Sequence, residues 1–420
     1  FQKMWRVTVS VVPNIKPGFD PTDPVQNEKA IPLQEFLELR KNAPVWWVSQ
    51  DDAACAGFFD GGFWAVSRHE DISAVSKNST DFSATENGVI IRFAPDMTRD
   101  QVELQRVMLV NQDPPLHTTT RQIISRGFTP KAIGLLHESL QERANRIVDE
   151  ALERGEGDFV SEVAAELPLQ AIADLMGVPQ EDRRKVFDWT NQMLAYDDPD
   201  FSGEPDVAAA EILAYAMGLA DERRKEPRED IVTKLVQAGS DGSGALTDDE
   251  FGYFVILLAV AGNETTRNAI THGLKAFFDN PDQWELYKRE RPASAVDEII
   301  RWATPVTVFQ RTALRDVEVG GQLVKKGQRV GIFYGSGNRD DDVFTDPNKF
   351  DIMRDPNPHL AFGGHGAHYC IGANLARLEV EIMFNTIADK MPNLAPNGEA
   401  RRLRHAWING IKEMPVKYLP

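Results

Sequence analysis

The stretch that best indicates how this chain folds is Phe362-Gly363-Gly364-His365-Gly366-Ala367-His368-Tyr369-Cys370-Ile371-Gly372. Its closely spaced glycines allow a tight loop whose backbone can approach a flat ligand. Apolar residues recur behind it at three- and four-residue steps, from Ile371 to Ile382, which predicts a helix. Cys370 is therefore expected at the beginning of that helix, where free N–H groups and the helix dipole favour a thiolate. A lone thiolate on such a loop can ligate haem iron.

Two other interpretations of the stretch stay open at this point. Most single cysteines are small buried hydrophobic residues without chemistry. A zinc site could also be built from His359, His365, His368 and Cys370. Structural zinc usually requires ligand pairs with longer histidine spacing than His365-x-x-His368. The loop alone favours haem only moderately, so the rest of the chain must decide.

Composition indicates a globular protein with a large core. The 420 residues are 42% hydrophobic and carry a net charge of −18, which argues against binding to nucleic acid or to anionic membranes. The longest uncharged apolar run, residues 251–262, is shorter than the roughly 20 residues of a membrane span. No signal peptide is visible, and Cys55 is interpreted as a bystander thiol, so we expect a soluble cytoplasmic protein. No repeat or linker divides the chain, which predicts one domain at 17–420. Residues 1–16 are expected to be a leader or a poorly ordered segment.

The order of patterns along the chain is typical of a mainly helical protein with small sheets. A short helix is predicted at 32–42, and an irregular loop at 81–112. Residues 130–240 are predicted to be almost wholly helical, and the capping box Thr247-Asp248-Asp249-Glu250 begins a long apolar helix. The predicted strands are 45–48, 63–66, 317–319, 323–324 and 330–334, with a hairpin at Asn409-Gly410 between 403–407 and 411–419.

The long apolar helix contains residues that a core helix does not normally carry. Gly262 costs about 1 kcal/mol relative to alanine, and the acid Glu264 and the alcohol Thr265 follow it. A buried carboxylate needs partners, and departures of this kind tend to mark function. The alternative is that the helix reaches the surface at residue 263, since Arg267 is polar as well.

Two further pairs have the spacing of one helix face. His117 and Arg121 lie four residues apart and could hold the same anion, although a solvated face is the commoner outcome. Glu298 and Arg301 lie three apart, and taken alone such a pair is nearly always a weak surface ion pair.

With the Cys loop, the Ala-Gly-x-Glu-Thr helix, Glu298-x-x-Arg301 and His117-x-x-x-Arg121 all present, the sequence resembles the cytochrome P-450 superfamily. The closer resemblance is to the actinobacterial steroid C26-monooxygenases, and it runs from about Pro17 to Tyr418. Its most telling stretches are 86–90, 167–173, 261–268, 302–316 and 366–377. The resemblance implies a triangular helical prism around one buried haem b.

The resemblance also implies roles for individual residues. Cys370 is the implied axial ligand of the haem iron, and Glu264 and Thr265 are the implied acid–alcohol pair that supplies protons. The implied haem contacts are His117, Arg121, Arg311, His368, Phe362, Gly364 and Ala261, of which the first four hold the propionates. The implied structural ion-pair triad is Glu298, Arg301 and Arg354. The implied substrate-lining residues are Ile90, Phe93, Val260, Ala261, Val306, Phe309 and Trp407.

One residue departs from the superfamily pattern. Phe362 lies eight residues before Cys370, whereas most members place the loop phenylalanine seven before the cysteine. The close family shares this one-residue insertion, and it leaves open whether Phe362 or Gly363 shields the thiolate.

The implied activity is hydroxylation of the terminal methyl (C26/C27) of a sterol side chain such as that of cholest-4-en-3-one or cholesterol, with possible further oxidation to aldehyde and acid. No flavin or dinucleotide motif is present, so electrons are expected from a 2Fe-2S or 3Fe-4S ferredoxin and its NAD(P)H-dependent reductase. The protein is expected to be a monomer. The alternatives are a P-450 for another large apolar substrate such as a terpenoid or fatty acid, a peroxygenase, and a haem sensor or electron carrier. A sensor or carrier would have no use for Glu264 and Thr265.

Overall fold

The fold is described from a computed structural model, which covers residues 13–51, 60–95, 97–194, 196–201, 204–228, 230–237 and 244–420. Cys55 and most of the predicted leader lie outside the described residues. The α-helices are α1 Pro24–Lys29, α2 Leu33–Asn42, α3 His69–Lys77, α4 Arg99–Leu104, α5 Leu116–Ile124, α6 Pro130–Gly134, α7 His137–Arg154, α8 Glu166–Met176, α9 Arg183–Leu194, α10 Pro205–Lys225, α11 Ile231–Val236, α12 Asp248–Asp279, α13 Pro281–Glu290, α14 Ser294–Ala303, α15 Tyr334–Gly337 and α16 Ala373–Lys390. The strands are β1 Val45–Ser49, β2 Gly62–Val66, β3 Phe82–Ser83, β4 Glu156–Asp158, β5 Phe309–Ala313, β6 Val317–Val319, β7 Gln322–Val324, β8 Arg329–Ile332, β9 Ala395–Pro396, β10 Arg401–Arg402, β11 Ile411–Glu413 and β12 Pro415–Lys417.

Helix α12 runs through the middle of the helical part of the molecule. Its start is fixed by the predicted capping box, in which the Thr247 hydroxyl accepts from the Glu250 N–H and the Glu250 carboxylate accepts from the Thr247 N–H. It packs against α8, α10, α14 and α16, and nearly all of its residues from 263 to 277 are buried. The alternative that the helix reaches the surface at residue 263 is therefore wrong. Polar residues in this segment must be satisfied inside the protein.

The strands form small sheets. The largest has the order β1-β2-β8-β5-β3, with β2 and β8 parallel and the other neighbours antiparallel. The predicted fold class, mainly α with small β-sheets, is confirmed. No helix among the described residues is both long and apolar enough to cross a membrane.

Several predicted elements differ from the structure. The segment 81–112 contains α4, because Thr98 and Gln101 form a capping box that the loop prediction overlooked. The predicted strand at 403–407 is also wrong, since β10 at Arg401–Arg402 is the segment that pairs with β11 across the hairpin. Strand β5 was not predicted at all. It pairs with β3 and β8, which are distant in sequence, and short apolar patterns do not reveal such pairing.

Candidate active site

The Cys loop lies against α3. The Cys370 N–H donates to the Phe362 carbonyl oxygen at 2.9 Å, and α16 begins three residues later at Ala373. A Cβ atom on Gly366 would lie 1.8 Å from the carbonyl oxygen of Ser76 on α3, and one on Gly364 would lie 2.4 Å from the Ser76 hydroxyl. Both glycines are therefore required so that the loop can pack on α3.

The thiol of Cys370 is accessible and yet lies deep within the fold. Cys370 has exposed surface, but burial among protein atoms raises the pKa of its thiol, while the Gly372 N–H, Arg121 and Arg377 lower it. A side chain with both properties faces an internal cavity. The structure thus presents a sulfur atom to an interior space, with two guanidinium groups and a backbone N–H that favour its thiolate form.

Helix α12 presents small and polar groups to an interior space as well. Ala261 is exposed although it lies in the middle of a largely buried helix, and Thr265 donates from its hydroxyl to the Ala261 carbonyl oxygen at 2.6 Å. Gly262 does not face open space, because a Cβ atom there would lie 2.2 Å from Ile172 Cδ1 on α8. Helix packing therefore accounts for Gly262.

The Glu264 carboxyl group is turned away from Thr265. It is 3% exposed and binds the guanidinium of Arg267, which in turn donates to Asn191 on α9 at 3.3 Å. None of the hydrogen bonds among the described residues joins Glu264 to Thr265. Burial raises the pKa of Glu264, and the charge and hydrogen bond of Arg267 oppose that rise. The acid and the alcohol are thus neighbours in sequence whose side chains have different partners.

Four predicted propionate-binding residues come together near the Cys loop. The rings of His117 and His368 lie 4.4 Å apart, and Arg121 donates to the Tyr369 carbonyl oxygen at 2.6 Å. Burial and the charge of the neighbouring Arg311 lower the pKa of His368 to about 2, and burial together with Arg121 lowers the pKa of His117. Such a gathering of cationic and donor groups is suited to an anion.

This arrangement fits a haem. The buried Nε2 of His117 has no hydrogen-bond partner among the described residues, and Arg311, which is 4% exposed, donates to the carbonyl oxygen of Gln310 at 2.7 Å. A buried ring nitrogen without a partner requires one, which a propionate group would provide beside the charge of Arg311. Cys370 would then be the thiolate ligand. A thiolate-ligated haem supplies the capacity to activate dioxygen.

The imidazoles near Cys370 do not form a metal cluster. His359 is hydrogen-bonded to Asp297 at 3.1 Å, and the ring of His365 stacks on Tyr369 at 5.7 Å. Among the described residues there is no group of three or more His, Cys, Asp or Glu side chains placed to hold a metal ion. The zinc interpretation therefore has no geometric support there.

The three residues predicted as a structural triad are joined by hydrogen bonds. Arg301 donates to both Glu298 oxygens, at 2.7 and 2.8 Å, and Arg354 donates to one of them at 3.1 Å. The side chains of Glu298 and Arg301 are completely buried, so this pair is not the weak surface pair that the spacing alone favoured. Asn357 and the Asp351 N–H satisfy the remaining acceptor sites of Glu298.

The predicted substrate-lining residues are brought together from four parts of the chain. Ile90, Val260, Val306 and Phe309 pack on one apolar cluster that includes Trp407. The Phe309 and Trp407 rings lie 6.0 Å apart, and Val306 pairs with Ile408 in a β-bridge. Phe93 lies in an adjoining cluster against which Ile90 also packs.

Sequence reasoning did not identify Arg267 and Asn191 as site residues. The polarity of Arg267 favours a helix that reaches the surface, although Arg267 lies three residues after Glu264, at ion-pair spacing. That spacing could have identified Arg267 as the partner of Glu264. The hydrogen bond from Arg267 to Asn191 on α9 depends on tertiary packing, and no pattern in the sequence indicates it.

The chain is similar to known proteins over nearly its whole length. The Cytochrome P450 family model matches residues 293–390. A steroid C26-monooxygenase of Rhodococcus jostii is 59% identical over 98% of this chain and 87% of that protein. A steroid C26-monooxygenase of Mycobacterium tuberculosis is 56% identical over 98% of this chain and 95% of that protein.

More distant relatives share the fold. A methyl-branched lipid omega-hydroxylase of Mycobacterium tuberculosis is 40% identical over 91% of this chain and 90% of that protein. Among solved structures, a Mycobacterium marinum cytochrome P450 in complex with pseudoionone matches with a TM-score of 0.87 and 37% identity over 96% of this chain and 100% of that chain. The predicted resemblance and the predicted fold are confirmed.

Proposed function

The chain belongs to the cytochrome P450 family, and from that premise we propose that it is a monooxygenase that hydroxylates the terminal methyl group of a sterol side chain. The observations that carry the proposal are the accessible thiol of Cys370 with its neighbouring guanidinium groups, and the exposed Ala261 beside the hydroxyl of Thr265 on α12. The relatives at 56–59% identity, named steroid C26-monooxygenases, support the sterol side chain as substrate. Cholest-4-en-3-one and cholesterol are the proposed substrates, with possible further oxidation of the alcohol to aldehyde and acid.

Each site residue of this chain would have its own role in the reaction. Cys370 would hold the haem iron as thiolate, while His117, Arg121, Arg311 and His368 would hold its propionates. Thr265 would donate a hydrogen bond to the reacting oxygen, and Glu264 would supply protons. A haem sensor or electron carrier would need no such acid and alcohol, which favours the monooxygenase.

Position must decide which carbon reacts, because a sterol side chain ends in an isopropyl group whose tertiary C–H bond is weaker than its methyl C–H bonds. Holding reactants at about 3–3.5 Å can contribute several kcal/mol of selectivity. We propose that Val260, Val306 and Phe309 form a narrow collar that admits only the tip of the chain. Ile90, Phe93 and Trp407 would grip it further out.

The electron donor is proposed to be a separate ferredoxin, of 2Fe-2S or 3Fe-4S type, reduced by an NAD(P)H-dependent reductase. We further propose that residues 17–420 act as one haem-binding domain, as a monomer, in the cytoplasm where that reductase would find its NAD(P)H. Each of these proposals goes beyond family membership and can be tested.

Reconstituted turnover of cholest-4-en-3-one tests the proposal. Wild type with ferredoxin, reductase and NAD(P)H should give mainly the terminal-methyl alcohol, and Val306→Ala should shift product toward the tertiary alcohol. Tertiary alcohol as the main wild-type product would contradict the collar. Turnover with hydrogen peroxide alone at the same rate would indicate a peroxygenase, and preference for a methyl-branched fatty acid would indicate another lipid substrate.

The ligand is tested separately by the spectrum of the dithionite-reduced protein under carbon monoxide. Wild type should give the strongly red-shifted Soret band of a thiolate complex, and Cys370→His should retain haem but lose that band. Survival of the band in the variant would show that Cys370 is not the ligand.

A further inference from the structure

A polar cavity rich in arginine lies where α7, α8 and α9 come together. It has a volume of about 200 Å³, and the π-helical turn Val160–Ala164 also contributes to its lining. Four arginines line it, two from α7 and two from α9: Arg146, Arg154, Arg183 and Arg184. We call this space the arginine cavity.

The buried part of the cavity lining is a hydrogen-bonded network on α8. Glu166 and Gln170 are 7% and 8% exposed, and Gln170 Nε2 donates to Glu166 Oε2 at 3.0 Å. Arg184 donates to the other oxygen of Glu166, and Arg143 donates to Gln170 Oε1 at 3.0 Å. Both acceptor side chains in this part of the lining are therefore already occupied.

The two other carboxylates of the lining do not bind the remaining arginines firmly. Glu162 accepts a hydrogen bond from the Tyr418 hydroxyl at 3.0 Å. Arg154 lies 3.6 Å from a carboxylate oxygen of Glu150 and 3.9 Å from one of Glu162. Both distances are longer than a hydrogen bond, so Arg154 interacts with these acids through charge alone.

Two of the four arginines have N–H groups without a protein partner. Arg183 Nη1 donates to the Gln180 carbonyl oxygen at 2.5 Å, but the buried Nε of Arg183 has no hydrogen-bond partner among the described residues. Arg146 is exposed and makes no hydrogen bond or ion pair with any other described residue. Because each guanidinium group carries five N–H donors, the lining offers more donors than its carboxylates accept. Such a cavity suits a ligand composed of acceptors.

We propose that the arginine cavity binds a diphosphate group. Guanidinium groups bind phosphate oxygens through paired hydrogen bonds, and the arginine pairs on α7 and α9 could each take one phosphoryl group. Free inorganic diphosphate and the diphosphate of a nucleotide share this chemistry, and the experiment below distinguishes them. The proposal does not depend on the proposed function, because none of the residues that would hold the haem or the sterol lines this cavity.

The carboxylates of the lining determine how binding should respond to substitution. Four arginines and three glutamates leave the lining with one net positive charge, so the attraction for an anion should weaken as salt rises. Glu150 is exposed and lies near Arg154 without a hydrogen bond to it. Glu150→Gln should therefore tighten diphosphate binding several-fold, because it removes a repulsive charge. A purely structural role for these residues would not produce tighter binding.

Calorimetric titration of the haem-loaded ferric protein with inorganic diphosphate, in metal-free buffer of low ionic strength, tests the site. Wild type should bind one diphosphate, and Arg146→Gln and Arg183→Gln should each weaken binding about ten-fold or more. Arg146→Gln breaks no protein contact, so it tests the site even if Arg183→Gln does not fold. Arg289→Gln on α13 and Lys131→Gln on α6 each remove an exposed positive charge elsewhere and should bind as wild type does.

Several results would overturn the proposal. One is the absence of binding, as expected if the cavity holds only water, and another is binding that neither arginine substitution weakens. Loss of binding in Lys131→Gln instead would place the anion near α6 and would also overturn it. Sulfate bound as tightly as diphosphate would overturn the assignment of a diphosphate group.

Titration with ADP distinguishes the two sources of the diphosphate group. Binding of ADP at least as tight as that of inorganic diphosphate, with the same dependence on Arg146, would identify a nucleotide. Binding of inorganic diphosphate without binding of ADP would identify the free anion. None of these titrations uses sterol or turnover, so failure of the proposed hydroxylation would appear only in the product analysis and would be distinguishable from failure here.

Discussion

The buried carboxyl groups of this protein differ in how many hydrogen-bond partners they have. Glu298 accepts hydrogen bonds from Arg301, Arg354, Asn357 and a backbone N–H, whereas Glu264 has Arg267 alone. Glu379 on α16 is 1% exposed, bonds to the Thr266 hydroxyl, and has one oxygen without a partner among the described residues. A fully satisfied ion contributes to a fixed structure, while a poorly satisfied one is free to change its protonation. The three acids should therefore respond differently to substitution.

Glu298→Gln should destabilise the protein strongly. The substitution leaves the buried guanidinium of Arg301 without its counter-charge, which typically costs about 3–5 kcal/mol. Chemical denaturation of the haem-loaded protein measures the loss. Glu318→Gln, at an exposed position on β6, is the matched control and should change the free energy of unfolding by less than about 0.5 kcal/mol. Equal effects of the two substitutions would contradict the structural role.

Glu379 should make stability fall as pH rises. Burial raises the pKa of Glu379 from 4.5 to about 8. Between those values the folded protein keeps a proton that the unfolded chain has released, so the free energy of unfolding decreases with rising pH and levels off above the folded pKa. Unfolding at about pH 5 and pH 8.5 should differ more in wild type than in Glu379→Gln, by on the order of a few kcal/mol. Glu381→Gln, exposed on the same helix, should behave as wild type, and an unchanged slope in Glu379→Gln would contradict the raised pKa.

Helices and strands were predicted best from the sequence where a local pattern determines where the element begins. The capping box at Thr247 is a local hydrogen-bond pattern, and it is confirmed. Strand β5 and the exact strands of the C-terminal hairpin depend on partners far along the chain, and these were missed or misplaced. Helix α4 shows that a local signal can also be overlooked within an irregular stretch.

Gly262 provides a test of packing between elements. Alanine in a helix is favoured over glycine by about 1 kcal/mol, but a Cβ atom at residue 262 would overlap the Ile172 side chain of α8. Gly262→Ala should therefore destabilise the protein by about 1–3 kcal/mol, and Ile172→Ala in the same chain should remove most of the added penalty. Gly218→Ala on α10, where a Cβ atom meets nothing within 4 Å, should instead stabilise slightly. If Gly262→Ala instead stabilises the protein, the side chains of α8 can move aside without a free-energy cost.

For the molecule as a whole, sequence identified the candidate residues better than their arrangement. Cys370, the helix with Glu264 and Thr265, and the residues near the propionate site were named from motifs. The orientation of Glu264 toward Arg267 depends on α9, which lies far away in sequence. Motifs specify residue types and spacing along one element, whereas side-chain direction is set by the elements packed around it.

The distribution of charge over the whole molecule leads to a prediction about electron delivery. Although the net charge is −18, Arg121, Arg126 and Lys131 lie on or near α5 and α6, and Arg121 binds the loop that carries Cys370. Leu116 and Leu135 are 54% and 76% exposed on the same segments. Basic residues and exposed apolar residues on the same segments suit an acidic ferredoxin, whose approach would be steered by charge.

Lys131→Glu should accordingly slow reduction by ferredoxin several-fold at low ionic strength, and reversal of Arg126 should act in the same direction. The difference from wild type should shrink as salt rises, because exposed charges are screened beyond about 8 Å at physiological ionic strength. Lys225→Glu, exposed at the end of α10, makes the same charge change on a helix that packs against α9, α11 and α12, and should leave the rate near that of wild type. Stopped-flow measurement of the first reduction step compares each variant with wild type. Leu135→Ser should slow reduction at all salt concentrations, since it removes apolar contact area without changing charge. A rate that responds neither to salt nor to Lys131→Glu would place the docking surface elsewhere on the molecule.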